Sequence, residues 1–146
     1  YEYPISSLDI LPTIATLTDA PLDADRPLDG VNIIPFLKGE KQGRPHQTLY
    51  VRKFDNDFYS VRDGDMKLVT KKKNSIKELY DLKNDLGEEK DLANFFPLEV
   101  NRLDSLRQAW DAQLIDPIFL GLIHTERWQR RLKEKSIIKM SENQGP

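Results

Sequence analysis

The sequence predicts an α+β fold, in which a four-stranded antiparallel sheet packs against one long helix. Two periodicities support this prediction. Apolar residues alternate with polar ones in four short runs between Thr48 and Tyr80, which is typical of half-buried strands. In the segment 97–114 they recur every third or fourth position instead, which indicates an amphipathic helix. A shorter helical pattern and a long irregular loop precede the sheet.

The four strands are predicted at Thr48–Phe54, Phe58–Arg62, Met66–Thr70 and Ile76–Tyr80. Short polar connectors separate them, and the Asp63-Gly64 pair is a strong hairpin signal. Because connectors this short join antiparallel neighbours, we expect a meander with one apolar and one solvated face.

The long helix is predicted to begin at Pro97, with Glu99 in its first turn, where proline and acidic side chains are both favoured. We expect it to cover the apolar face of the sheet and to form a two-layer unit. Its apolar stripe consists of Val100, Leu103, Leu106, Trp110 and Leu114.

A short helix is predicted from about Asp9 to Thr18, because Ile10, Leu11, Ile14 and Leu17 recur at helical spacing. Two starts compete. In one, Asp9 is the N-cap and accepts from the Leu11 N–H; in the other, Ser6 is the N-cap and Asp9 closes a capping box. The Asp9 start is preferred, because it keeps Pro12 in the first turn, where its missing N–H costs nothing.

The connection Asp19–Pro45 is dense in proline, glycine and aspartate and reads as a long loop. It contains one apolar piece, "VNIIPFL" (Val31 to Leu37). Pro35 allows only edge-strand or turn character there.

Composition excludes several functions. The 146 residues include 22 basic and 24 acidic side chains, for a net charge of −2. Such a balance gives no attraction to nucleic acid or to an anionic membrane, and neither is expected as a partner. The absence of cysteine excludes disulfides and thiolate chemistry. The chain starts with Tyr1 in a structured-looking run, so we expect a piece of a longer protein.

No self-sufficient active site emerges from the residues alone. The acidic loops 19–29 and 81–91 lack EF-hand spacing and are better interpreted as turn and cap carboxylates. Two histidines argue against a histidine-based zinc site and leave little choice of general base. His46 is either a pocket-facing group or a surface turn residue, and His124 has no acid partner in sequence. The basic segment 127–135 is interpreted as a solvated helix face, or as one docked on an acidic neighbour.

Five motifs in order resemble the C-terminal part of the type I sulfatase family, within the alkaline phosphatase superfamily. They are "SSLDILPTIATLTDAP", "LDGVNIIPFLKGE", "LYVRKFDNDFYSVRDGDMKLV", "ELYDLKNDLGEEKDLA" and the helix with its "P…L…L…AW" pattern. The resemblance covers about Ser6 to Trp110. Met66, Leu86 and Asp91 depart from the tryptophan, proline and asparagine that the family usually has at these places.

The resemblance implies an enzyme that hydrolyses sulfate esters with a formylglycine residue and Ca²⁺. The formylglycine of the family matures within a "C/S-x-P-x-R" motif, which this sequence lacks. We therefore carry over no catalytic residue and expect Ca²⁺ and formylglycine in the full-length enzyme but not on this chain. The implied partners are an N-terminal catalytic domain of the same protein and a sulfated small molecule or glycan. A periplasmic or extracellular location is also implied.

The resemblance further implies three parts. Residues 1–43 would end the large α/β catalytic domain, 44–115 would form the C-terminal α+β subdomain, and 116–146 would be a tail. His46 and Arg52 are candidates for the rim of the substrate pocket, although Arg52 is also explained as an exposed strand residue paired with an aspartate. Two other functions stay open, namely a phosphoesterase of the same superfamily and a non-catalytic binding or scaffold module.

Overall fold

The computed structural model describes residues 1–54, 57–71, 75–117, 126 and 130. The chain divides into two compact units, Tyr1–Leu49 and Tyr50–Pro146. His124 and the basic segment 127–135, apart from Arg130, lie outside the described residues. None of the helices in the described part is long and apolar enough to cross a membrane.

The first unit begins with one 3₁₀ turn, Ser7–Asp9, that leads directly into helix α1, Ile10–Leu17. Ser6 is the N-cap: its Oγ accepts from the Leu8 N–H (3.2 Å), and Asp9 Oδ2 accepts from the Ser6 N–H (2.8 Å). Asp9 directly precedes α1, as the preferred start predicts, but its carboxylate makes no cap bond to the helix, so the predicted bond from the Leu11 N–H is wrong. The 3₁₀ turn explains the difference, because it lets the chain start at Ser6 and still keep Pro12 in the first turn of α1.

The "VNIIPFL" segment forms one helical turn, α2 (Ile34–Leu37), rather than an edge strand. Pro35 stands second in this turn. No donor is needed at that position, so the proline fits a helix start as well as a turn.

Helix α1 turns its small and polar side toward the protein, where Pro12, Thr13 and Ala15 are buried. Its branched apolar side chains, Ile10, Leu11, Ile14 and Leu17, are between 53% and 63% exposed. Three of them, Ile10, Leu11 and Ile14, line an apolar groove of about 550 Å³ together with Leu8, Pro27 and Leu28. The apolar stripe that predicts the helix is therefore left without a partner in this unit.

The sheet is a meander in the order β1 (Thr48–Lys53), β2 (Phe58–Asp63), β3 (Met66–Lys71) and β4 (Ile76–Asp81). Strands β2 and β3 are antiparallel, as are β3 and β4. The register places Val61 opposite Leu68, and Leu68 opposite Leu79. The predicted four-stranded antiparallel sheet is confirmed, with strand bounds within one residue of those expected.

Helix α3, Pro97–Asp111, packs on β2 and β3. The buried core consists of Val61, Leu68, Leu79, Val100 and Leu103. Leu106 packs against this core, and the Trp110 ring stacks on Tyr50 with 5.0 Å between centroids. The predicted sheet-covering helix and the α+β class are confirmed, whereas Leu114 lies beyond the end of the helix.

The connection between β4 and α3 is organised by aspartates. Asp85 accepts from the N–H groups of Glu89 and Lys90. Asp91 Oδ1 accepts from the N–H groups of Leu79 (3.0 Å) and Ala93 (2.9 Å). These carboxylates hold turns and a strand edge, as the sequence predicts for the acidic loop.

Candidate functional site

A buried carboxylate–imidazole pair organises the first unit. Asp9 is 1% exposed, and its Oδ1 lies 2.7 Å from Nε2 of His46. The same oxygen accepts from the Val31 N–H (2.9 Å), while Oδ2 accepts from Ser6. One side chain thus joins three segments of the unit, those around residues 6, 31 and 46.

The neighbouring motif residues hold the same loop. Thr13, one turn after Asp9, donates through Oγ1 to the Val31 carbonyl (3.5 Å) and accepts from the Ile33 N–H (3.2 Å). An added Cβ at Gly30 would lie 2.0 Å from the Leu8 carbonyl oxygen, so the loop can approach this closely only with glycine.

The charge state of Asp9 follows from its contacts. Burial alone would raise the pKa of this carboxyl, but the N–H groups of Ser6 and Val31 and the His46 imidazole outweigh burial and lower it. Asp9 is therefore an ionised acceptor at neutral pH.

Arg52 lies on β1 in the second unit, and its side chain is 14% exposed. Its Nη2 donates to Asp116 Oδ1 (2.9 Å) and its Nη1 donates to the Ile115 carbonyl (3.3 Å). The guanidinium also lies over the Phe54 ring, 4.8 Å from the centroid. The side chain is thus largely buried, and its acidic partner comes from the segment after α3.

Next to Arg52, Tyr59 donates to Asp111 Oδ1 (2.9 Å). The Arg107 guanidinium covers the Tyr59 ring at 5.0 Å and donates to Asp104 (2.7 Å). Burial would raise the pKa of Asp104, but bonds from Lys77, Arg107 and Gln108 lower it.

Sequence reasoning did not identify Asp104 and Arg107 as buried. The available signal was their position: each lies three or four residues from an apolar residue of the α3 stripe. Their ion pair compensates both buried charges, which makes it a structural arrangement rather than a reactive one.

The described residues do not form a site for the cofactors of sulfate ester hydrolysis. Within the described ranges, no three His, Asp or Glu side chains converge as metal ligands would. No "C/S-x-P-x-R" motif occurs in the sequence. We therefore derive no chemical step through Ca²⁺ or formylglycine on this chain.

The two residues that the sequence singled out lie in different units, and each has its own contacts. His46 is bonded to Asp9, and Arg52 to Asp116. Asp9, which the sequence places at a helix cap, is the group that fixes His46. The spacing of 37 residues between them carries no local signal.

Several known proteins are similar to this chain in sequence. Steryl-sulfatase of Homo sapiens is 45% identical over 49 residues, which are 34% of this chain and 8% of that protein. The uncharacterized sulfatase YdeN of Escherichia coli is 35% identical over 74 residues, 47% of this chain and 13% of that protein. The Delta 4,5-hexuronate-2-O-sulfatase of Bacteroides thetaiotaomicron is 32% identical over 93 residues, 60% of this chain and 19% of that protein. No protein-family model matches the sequence.

Solved structures share the fold. The crystal structure of Ps i-CgsB, also solved in complex with k-i-k-neocarrahexaose, matches 97% of this chain and 31% of its own, with a TM-score of 0.71 and 19% identity. A 2-O GAG sulfatase matches 73% of this chain and 24% of its own, with a TM-score of 0.58 and 26% identity. The chain thus spans less than a fifth of the curated relatives and less than a third of the solved ones.

Proposed function

We propose that this chain, a relative of the sulfatases in sequence and fold, is the C-terminal part of an enzyme that hydrolyses sulfate esters. The partial coverage of every relative described above supports this proposal. In it, the first 43 residues complete a large catalytic domain, and the sheet with α3 is the smaller subdomain. Ca²⁺ and formylglycine, which would supply charge neutralisation and the nucleophile, belong to the upstream part.

The exposed stripe of α1 is the structural observation that carries the proposal. Four branched apolar side chains and an apolar groove are unpartnered in the first unit. Contiguous exposed apolar surface of this kind marks an interaction face. A catalytic domain of the same protein, covering this face, would bury it.

A sulfated saccharide is the proposed substrate class for the parent enzyme. Its support is the chemistry of three similar proteins, which are a hexuronate sulfatase, a GAG sulfatase and a protein solved with a neocarrahexaose. His46 and Arg52 are proposed as rim groups of the pocket, each held by the carboxylate described above.

The test compares the 146-residue chain with the protein translated from its complete coding sequence. Both are assayed with nitrophenyl sulfate, nitrophenyl phosphate and a sulfated disaccharide. We expect sulfate ester turnover by the complete protein and none by the short chain. Turnover by the purified short chain, rising with its concentration, would contradict the proposal, and a preference for the phosphate ester would favour the phosphoesterase alternative.

A second experiment separates this proposal from a free-standing scaffold module. We expect an apolar-surface dye to bind the 146-residue chain and to bind less when residues 1–43 are removed. A monodisperse chain that unfolds cooperatively and binds no dye would favour the scaffold module instead.

A further inference from the structure

The Asp9 carboxylate determines which nitrogen of His46 carries the proton. An ionised carboxylate can only accept hydrogen bonds, so the group that faces it must donate. His46 meets Asp9 through Nε2, at 2.7 Å. The neutral imidazole is therefore the Nε2–H tautomer, and its Nδ1 carries a bare lone pair.

Nδ1 is available to a ligand. Within the described part of the chain, the hydrogen bonding of His46 consists of the Nε2 contact to Asp9. The imidazole keeps 11% of its surface exposed, and Nδ1, which has no hydrogen-bond partner among the described residues, is not a fully buried atom. A partly buried histidine is thus fixed at one nitrogen and open at the other.

The support behind the imidazole is rigid. Asp9 is itself held by the N–H groups of Ser6 and Val31, so the carboxylate cannot turn away from His46 without losing both bonds. A ring held from behind in this way presents its free nitrogen in one direction, as binding sites require.

We propose that His46 is a specificity-determining residue that accepts, through Nδ1, a hydrogen bond from a hydroxyl group of a carbohydrate substrate. This inference rests on the proposed function. Asp9 acts as a positioning residue, through His46 alone. In this tautomer the lone pair of Nδ1 is an acceptor, so the group complementary to it is a hydroxyl donor rather than a sulfate oxygen.

The first test reads the tautomer directly. Long-range ¹H–¹⁵N correlation spectra are recorded on the 146-residue chain, at a pH at which the nitrogen shifts show the imidazole to be neutral. Because the chain has two histidines, a His124→Gln variant leaves His46 alone in the spectrum. We expect the Nε2–H tautomer, and a mixture of tautomers in Asp9→Asn. A dominant Nδ1–H tautomer would overturn the inference whatever the activity of the complete protein.

The second test measures specificity in the complete protein. His46→Gln keeps an N–H near the position of Nε2, which can still donate to Asp9, but it has no acceptor at Nδ1. We expect kcat/KM for a sulfated disaccharide to fall about tenfold further than kcat/KM for nitrophenyl sulfate, which has no hydroxyl group. The extra loss should be found in KM rather than in kcat.

A control variant and the negative outcomes complete this test. Gln42→Ala changes an exposed residue of the same loop and should leave both substrates unaffected. Equal losses on both substrates in His46→Gln would mean that His46 only supports the fold, and no loss on either would mean that it contacts no substrate. Either result would overturn this inference while leaving the proposed function intact, whereas a complete protein inactive on both sulfate esters would refute the proposed function.

Discussion

Replacing Asp9 by alanine should unfold the first unit locally without affecting the second. The change removes an acceptor that serves Ser6, Val31 and His46 and leaves their N–H groups inside the protein. A hydrogen bond to a charged group contributes about 1.5–3 kcal/mol, but three bonds that share one carboxylate are not additive. Each donor left unpaired inside the protein costs about 1–3 kcal/mol, so we expect a total loss of about 3–5 kcal/mol when the three bonds are lost together.

A graded series tests this reasoning. In Asp9→Asn one carboxylate oxygen becomes an NH₂ group, so at least one partner N–H faces a donor; we expect a smaller loss of about 1–3 kcal/mol. Asp25→Ala is the matched control, because Asp25 is exposed in the same unit and should change stability by less than about 0.5 kcal/mol. The expected loss of stability is therefore largest for Asp9→Ala, smaller for Asp9→Asn and smallest for the Asp25→Ala control.

Hydrogen exchange followed by mass spectrometry resolves the two units. A loss of about 3 kcal/mol corresponds to roughly a hundredfold faster exchange in peptides that cover residues 6–18 and 30–37. Peptides from β3 and α3 should be unchanged. Asparagine behaving like the wild type, or an alanine effect below about 1 kcal/mol, would refute the claim that Asp9 organises the unit.

The remaining predictions concern pH, a glycine and the core. Because the folded pKa of Asp9 is lowered, its contribution to the free energy of unfolding should be complete above about pH 4, the unfolded value. This contribution should be lost as the pH falls through the folded pKa. In Asp9→Asn the stability of the first unit should therefore depend less on pH in this acid range. Gly30→Ala should destabilise the first unit by more than about 2 kcal/mol in thermal unfolding, because the new Cβ would clash with backbone atoms. The control Gly87→Ala should change stability little, because its new Cβ meets only a flexible side chain at 3.4 Å. Leu103→Ala should cost about 2–5 kcal/mol in urea, and Leu98→Ala, 84% exposed on the same helix, less than about 0.5; equal effects would contradict the described core.

The sheet and α3 could be predicted because their signal is local and repeated. Alternation in four runs fixes which residues share a face, and short connectors fix which strands are neighbours. Val61, Leu68 and Leu79 lie in the core as that pattern requires. Here local propensity and tertiary packing favour the same structure, so the sequence alone is enough.

The helix start and the His46 pair could not be predicted in the same way. Whether Ser6 or Asp9 caps the helix depends on partners at positions 31 and 46, which the local pattern does not contain. The preference for Asp9 also assumed a regular α-helix from its first residue, and the 3₁₀ turn removed that assumption. A carboxylate that bonds across 37 residues has no periodicity to detect.

The apolar stripe of α1 could be predicted only in part. Its spacing correctly predicts a helix, but periodicity does not say what covers the apolar side. In this unit the covered side contains Pro12, Thr13 and Ala15, and the larger apolar side chains are exposed. The apolar stripe therefore has no covering partner within the unit.

These observations explain why the first unit depends on polar contacts. All residues from 1 to 49 are described, and the buried apolar side chains among them are Pro12 and Ala15. Burial of so little apolar surface offsets only part of the entropy lost in ordering about fifty residues. The bonds from Asp9 and Thr13 to the loop at 31–33 therefore give the unit its shape, and burial of the α1 stripe by a partner would give it most of its stability. We expect the first unit to exchange its amide hydrogens much faster in the 146-residue chain than in the complete protein, while β3 and α3 exchange alike in both.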